Sequence, residues 1–84
     1  MSLAHALPTL LIRPASGSDV AALERLAELD SAHVPGGDLL VAETDGALVA
    51  AHAPASGATI ADPFRHTAGV VELLEMRGAL LRTS

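Results

Sequence analysis

The sequence has 84 residues, no cysteine and a formal net charge of −5. This length allows one domain, and the absence of cysteine excludes disulfides and thiolate zinc sites. The negative charge, with only five scattered arginines and no lysine, argues against nucleic-acid binding. No uncharged apolar run approaches the ~18 residues of a membrane span, and the N-terminus lacks the features of a signal peptide, so we expect a cytoplasmic protein.

Apolar runs and turn residues predict the element order β-α-β-β-β-α, which is an α+β fold with a four-stranded, mainly antiparallel sheet. Pro14 ends the first strand, and Ser16 with Asp19 has the capping-box spacing of a helix start. Asp45-Gly46 predicts a hairpin between the second and third strands. The predicted strands are residues 9–13, 38–44, 47–53 and 58–61, and the predicted helices are residues 17–30 and 68–82. Residues 1–8 are expected to be a flexible N-terminus before a single domain at 9–84.

Two segments carry a resemblance to a known family. The strand end Ile12-Arg-Pro-Ala15, followed by the capping box, and the hairpin Val41-Ala-Glu-Thr-Asp-Gly-Ala-Leu-Val-Ala50 together resemble the N-terminal half of the GNAT N-acetyltransferases. The resemblance covers roughly residues 10–60. It implies a GNAT-like half domain in which the acetyl-CoA loop corresponds to Arg65-His-Thr-Ala-Gly-Val70.

The sequence departs from the family in this loop. Arg65 matches the family's first loop position, but Ala68 stands at the first glycine and Val70 at a later small residue. A Cβ at these positions opposes the close approach of the backbone to a pyrophosphate. The chain also contains no tyrosine, whereas the family has a catalytic tyrosine region later in its fold. We therefore expect a truncated or degenerate GNAT-like domain without a complete catalytic site.

Two functional hypotheses follow. The first is a non-catalytic domain that acts through self-association, as a homodimer, or through a protein partner. It rests on the exposed edge expected for the fourth strand and on a core rich in small alanines. The expected contact residues are Phe64, Ile60, Val71 and Leu74. The alternative is a half-enzyme N-acetyltransferase, completed by a second chain, that binds acetyl-CoA or another anionic small molecule at Arg65, His66 and Thr67.

Other polar residues have structural interpretations. Phe64 is expected to plug the core or anchor an interface, and Arg65 to pair with a nearby acid in a turn that starts at Asp62-Pro63. His52 is expected at the edge of a sheet face or in a shallow groove, and Glu43 as a solvated hairpin residue. The four histidines show no metal-ligand spacing, so we assign no catalytic residue, no metal ligand and no cofactor outside the acetyl-CoA alternative.

Overall fold

The computed structural model of this chain describes residues 10–83. The flexible terminus expected at residues 1–8 and the strand start expected at Thr9 lie outside the described residues. The predicted order β-α-β-β-β-α is confirmed. The strands are β1 Leu10–Pro14, β2 Leu40–Thr44, β3 Ala47–His52 and β4 Thr59–Ala61, and the helices are α1 Val20–Leu29 and α2 Ala68–Thr83.

The four strands form one antiparallel sheet in the order β1-β2-β3-β4. The sequence left open whether the helices cover one face of this sheet or both. The structure places the two helices on opposite faces. α1 packs on one cluster of buried residues and α2 on a separate one, and the strands contribute to both clusters. The sheet is therefore the middle layer of three.

The two core clusters follow the alternation of side chains along the strands. On the α1 face, Leu23 and Leu26 pack with Val41 and Ile60. On the α2 face, Leu74 packs against neighbouring residues of β2 and β3, which include Leu40, Ala42 and Val49. Five of the thirteen buried apolar residues in the described chain are alanines, so each layer buries little area per residue.

A β-bulge interrupts the alternation in β3. The partner register shifts between Ala42 and Glu43, so that Val49 and Ala50 together fill one step of the ladder. Leu48 therefore packs on the α1 face, whereas Ala50 lies on the α2 face. Such a bulge, made of ordinary apolar residues, cannot be predicted from the composition of the strand.

The hairpin and the first helix begin as the sequence predicts. Asp45 and Gly46 both have positive φ angles, 52° and 85°, as a two-residue type I′ turn requires. At the helix, the Ser16 amide donates a hydrogen bond to Asp19 Oδ2 (2.7 Å), which is the reciprocal bond of the capping box. A single 3₁₀ turn at Gly17–Asp19 precedes α1.

The β4 edge is short and partly covered. The Asp62 amide donates to the Val49 carbonyl (2.9 Å), so the amide of Ala61, one residue earlier, points away from β3. Asp30, directly after α1, accepts a hydrogen bond from this amide at Oδ2 (3.1 Å). The edge expected to be unprotected therefore has one of its donors occupied by a side chain of the same chain.

Candidate functional site

A cleft of about 410 Å³ opens between α1, the hairpin end of the sheet and the loop after β4. Its apolar floor comes from residues of α1 and β3, among them Leu26, Leu29 and Leu48. Its polar wall contains six charged side chains, Arg13, Asp19, Arg25, Glu43, Asp62 and Arg65. Three of the five arginines of the chain thus meet in one place.

Arg13 is the centre of an ion-pair cluster in this wall. Its Nη1 and Nη2 atoms donate to Asp19 Oδ2 and Oδ1 at 2.8 and 2.9 Å, so the guanidinium and the carboxylate form a two-point contact. Nη2 also lies 3.4 Å from Glu43 Oε2. Asp19 is buried, and Arg13 and Glu43 are partly buried. The cluster ties the start of α1 to the edge of the sheet.

These contacts shift the pKa values of both partners in the two-point contact. The hydrogen bonds from Arg13, followed by the bond from the Ser16 amide, hold the pKa of Asp19 well below its usual range. The same carboxylate, with a smaller effect from Glu43, raises the pKa of Arg13 further above its already high value. Both groups stay charged at neutral pH, and Arg13 has most of its donors engaged.

This cluster was not predicted from the sequence. There, Arg13 is only the residue before Pro14, Asp19 has only the spacing of a helix cap, and Glu43 is expected as a solvated hairpin residue. Glu43 is half-buried and paired instead. Arg13 is a lone arginine at the end of an apolar strand, and this position indicates an acidic partner, since a buried charge needs one. The sequence could not show which of the ten acidic residues that partner is.

The loop after β4 confirms the predicted turn at Asp62-Pro63. The Phe64 amide donates to Asp62 Oδ1 (2.9 Å), and the Arg65 amide donates to the Asp62 carbonyl (3.3 Å). Arg65 Nε lies 3.4 Å from Asp62 Oδ2, so the expected pairing of Arg65 with a nearby acid is present. Phe64 is 81% exposed, which makes the expectation of a core plug wrong. The turn satisfies its own polar groups and directs the aromatic ring outward.

A second, smaller groove of about 260 Å³ lies at the start of α2, on the other face of the sheet. It brings together Arg65, His66 and Thr67, the three residues that the acetyl-CoA alternative requires. The Val71 amide donates to the Thr67 carbonyl (2.8 Å), which places Thr67 at the beginning of the helix. Arg65 lines both this groove and the larger cleft.

The four expected contact residues fall in different environments. Phe64 is exposed and Val71 is half-buried. Ile60 is only 2% exposed and packs in the α1 cluster, while Leu74 is fully buried in the α2 cluster. Ile60 and Leu74 therefore serve the core of their own chain, and only Phe64 of the four presents a large free apolar surface.

His52 lines a groove of about 230 Å³ together with Gly78, which is one of the two positions expected from the sequence. It is buried on the α2 face, and its Nδ1 is 2.8 Å from Thr59 Oγ1 on the neighbouring strand. A Cβ built at Gly78 of α2 would lie 2.7 Å from the ring atoms Cδ2 and Nε2. The glycine thus provides room for the imidazole between helix and sheet.

Within residues 10–83, no group of three or more histidine and acidic side chains could hold a metal ion. None of the helices in the described chain combines the length and apolarity needed to cross a membrane. The candidate sites described so far are the charged cleft on the α1 face and the groove at the mouth of α2.

The fold and these sites define a small α+β domain with a helix on each face of an antiparallel sheet. Comparisons with protein-family models, curated proteins and solved structures find no significant match to this chain.

Proposed function

We propose that this chain is a non-catalytic, GNAT-like small domain that acts by self-association through the outer face of α2. The observation that carries the proposal is an apolar surface on the side of α2 away from the sheet. Leu73, Met76 and Leu80 are 44, 63 and 66% exposed and follow the spacing i, i+3, i+7 of a single helix face. We call these three residues the outer stripe.

α2 is also apolar on the side that faces the sheet. Val70 and Val71 are half-buried against the sheet and Leu74 is fully buried. Exposed Glu72 and Glu75 on one flank and Arg77 on the other separate this buried side from the outer stripe, so α2 has two apolar sides divided by charged residues. The sheet buries one of these sides and leaves the other to solvent or to a partner.

A second copy of the chain fits this outer side of α2. In an antiparallel pair of α2 helices related by a two-fold axis near Met76, Leu73 of each copy faces Leu80 of the other, because the two leucines are nearly equidistant from Met76. Such a contact is isologous and closes after two copies. It also supplements a described core in which small alanines limit the buried area. Exposed Phe64, in the loop before α2, is a further apolar group for a partner.

The test is analytical ultracentrifugation of the purified chain over about 1–100 µM, a range in which a dimer of moderate affinity dissociates. We expect a monomer–dimer equilibrium that Met76→Glu shifts to the monomer. Ala21→Glu, which adds the same charge at an exposed position of α1, is the matched control and should leave the equilibrium unchanged. A wild-type chain that stays monomeric at the highest concentration would overturn the proposal.

The second candidate is the half-enzyme that binds acetyl-CoA. The observation that favours it is the shared groove of Arg65, His66 and Thr67 at the mouth of α2. Ala68 still stands where the family's phosphate loop has a glycine, and Val70 where it has a small residue. Calorimetry with acetyl-CoA decides between the two, since the self-association proposal needs no heat of binding.

A further inference from the structure

We propose that the cleft on the α1 face binds a small organic anion that has an apolar body. The site is separate from the outer stripe of α2, which lies in the opposite layer, so this proposal goes beyond self-association.

The carboxylates of the cleft already have cationic partners. Asp19 accepts two hydrogen bonds from Arg13 and one from the Ser16 amide. Glu43 lies against the same guanidinium at 3.4 Å. Asp62 accepts from the Phe64 amide and lies beside Arg65. A cation entering the cleft would have to compete with these arginines.

Two guanidinium groups, by contrast, keep donors free. Arg25 is exposed on α1 and makes no ion pair within the described chain. Arg65 is held through a single 3.4 Å contact from Nε, and its side chain is 50% exposed. Their terminal nitrogens can therefore donate to a carboxylate or phosphate, for which guanidinium is the preferred partner.

The charge balance of the protein makes the cleft distinctive. It contains three arginines and three acids and is neutral, while the two remaining arginines and seven remaining acids carry the whole net charge of −5. An anion is repelled by most of this molecule and meets free cationic donors here. The cleft is thus less repulsive to an anion than the acidic remainder of the surface, and it shares Arg65 with the groove at the mouth of α2, which no acidic residue lines.

The apolar floor of the cleft indicates that the part of the ligand outside its anionic group is apolar. Leu26, Leu29 and Leu48 line the cleft beside the small residues Ala22 and Ala47. The volume of about 410 Å³ lies at the lower end of the range of small-molecule sites. A medium-chain carboxylate, with its chain on the leucines and its head group between the arginines, matches both parts of the site.

The experiment is a ¹⁵N NMR titration of the full chain with octanoate. We expect saturable shifts in residues that line the cleft, and much weaker effects from acetate, which lacks the apolar body, and from octanol, which lacks the charge. Arg25→Gln should weaken octanoate binding about tenfold, the loss expected for one charge-assisted hydrogen bond. Arg77→Gln on α2, outside the cleft, is the matched control and should bind as the wild type does.

His66→Ala separates the cleft from the groove at the mouth of α2, because His66 lines only that groove and Arg25 only the cleft. Unchanged binding in His66→Ala, together with weakened binding in Arg25→Gln, supports the proposal. The reverse pattern, no saturable shift, or equal binding of octanol would overturn it. Titration of the Met76→Glu variant as well shows whether binding persists without self-association, so that the two proposals can fail independently.

Discussion

At the scale of single residues, the two-point contact between Arg13 and Asp19 makes a sharp stability prediction. Asp19→Asn removes the charge that Arg13 binds and weakens the acceptor of the Ser16 amide. We expect a lower melting temperature than for the wild type. Asp38→Asn, which changes an exposed loop carboxylate, is the control and should have little effect.

The pH dependence of this difference has a definite sign. The pKa of Asp19 is lowered in the folded state, so the unfolded chain binds the proton more readily as the pH falls. The stabilisation is complete at pH values above the ordinary carboxyl pKa of ~4 and is lost as the pH falls through and below that value. Melting temperatures of the wild type and Asp19→Asn should differ most at neutral pH and converge in acid. A difference that grows on acidification would contradict this account.

Asp19 and its partners show which contacts could be predicted from the sequence and which could not. The capping role of Asp19 could be predicted, because it depends on a spacing of three residues along the chain. The pairing with Arg13 and the closeness of Glu43 could not, because they depend on how a helix start packs on a sheet edge. The cleft, which contains all three, was missed for the same reason.

At the scale of secondary structure elements, the packing of α2 on β3 depends on Gly78. By helix propensity alone, a glycine at this position costs ~1 kcal/mol relative to alanine. The structure supplies the reason for it, since the His52 ring occupies the space of the missing side chain. We expect Gly78→Ala to destabilise the chain by about 1–3 kcal/mol, in spite of the better helix propensity of alanine.

Chemical denaturation measures this change, and the chain offers two controls. A Cβ at Gly69, in the first turn of α2, meets nothing within 4 Å, so Gly69→Ala should be neutral or stabilising. In a His52→Ala background the obstructing ring is gone, and the cost of Gly78→Ala should disappear. An equal cost in both backgrounds would show that the contact with His52 is not its cause.

The elements themselves followed from local patterns. The capping box and the Asp45-Gly46 turn are short-range signals, and both gave the correct structure. The bulge at Val49 and Ala50 has no such signal, because it depends on how two strands align. It places Leu48 and Ala50 on opposite faces of the sheet, although they are two residues apart in one strand.

At the scale of the whole molecule, self-association predicts that stability depends on concentration. If a second copy covers the outer stripe, the dimer is favoured by mass action, and the melting temperature should rise with protein concentration. In Met76→Glu this dependence should vanish. Calorimetric scans at several concentrations measure it, and a concentration-independent wild-type melting temperature would argue against the outer stripe as an interface.

The location of the contact surface shows the limit of the sequence at this scale. Ile60 was expected at the contact because it lies in the edge strand, and Leu74 because it lies in the last helix, yet both are buried within the chain. Leu73 and Met76 lie within two residues of Leu74 in the same helix, and they are also large and apolar. Only the rotation of α2 on the sheet decides which of them face outward, and that rotation is a property of the packed molecule.

The hydrogen bond from the Ala61 amide to Asp30 has a consequence for the order in which parts of this molecule open. The Asp62 amide is protected by the sheet, whereas the Ala61 amide is held only by the residue that ends α1. Amide hydrogen exchange at Ala61 therefore reports the detachment of α1, while exchange at Asp62 reports the separation of β3 from β4. Two adjacent amides thus measure the opening of two different layers, and Asp30→Ala should accelerate exchange at the first alone.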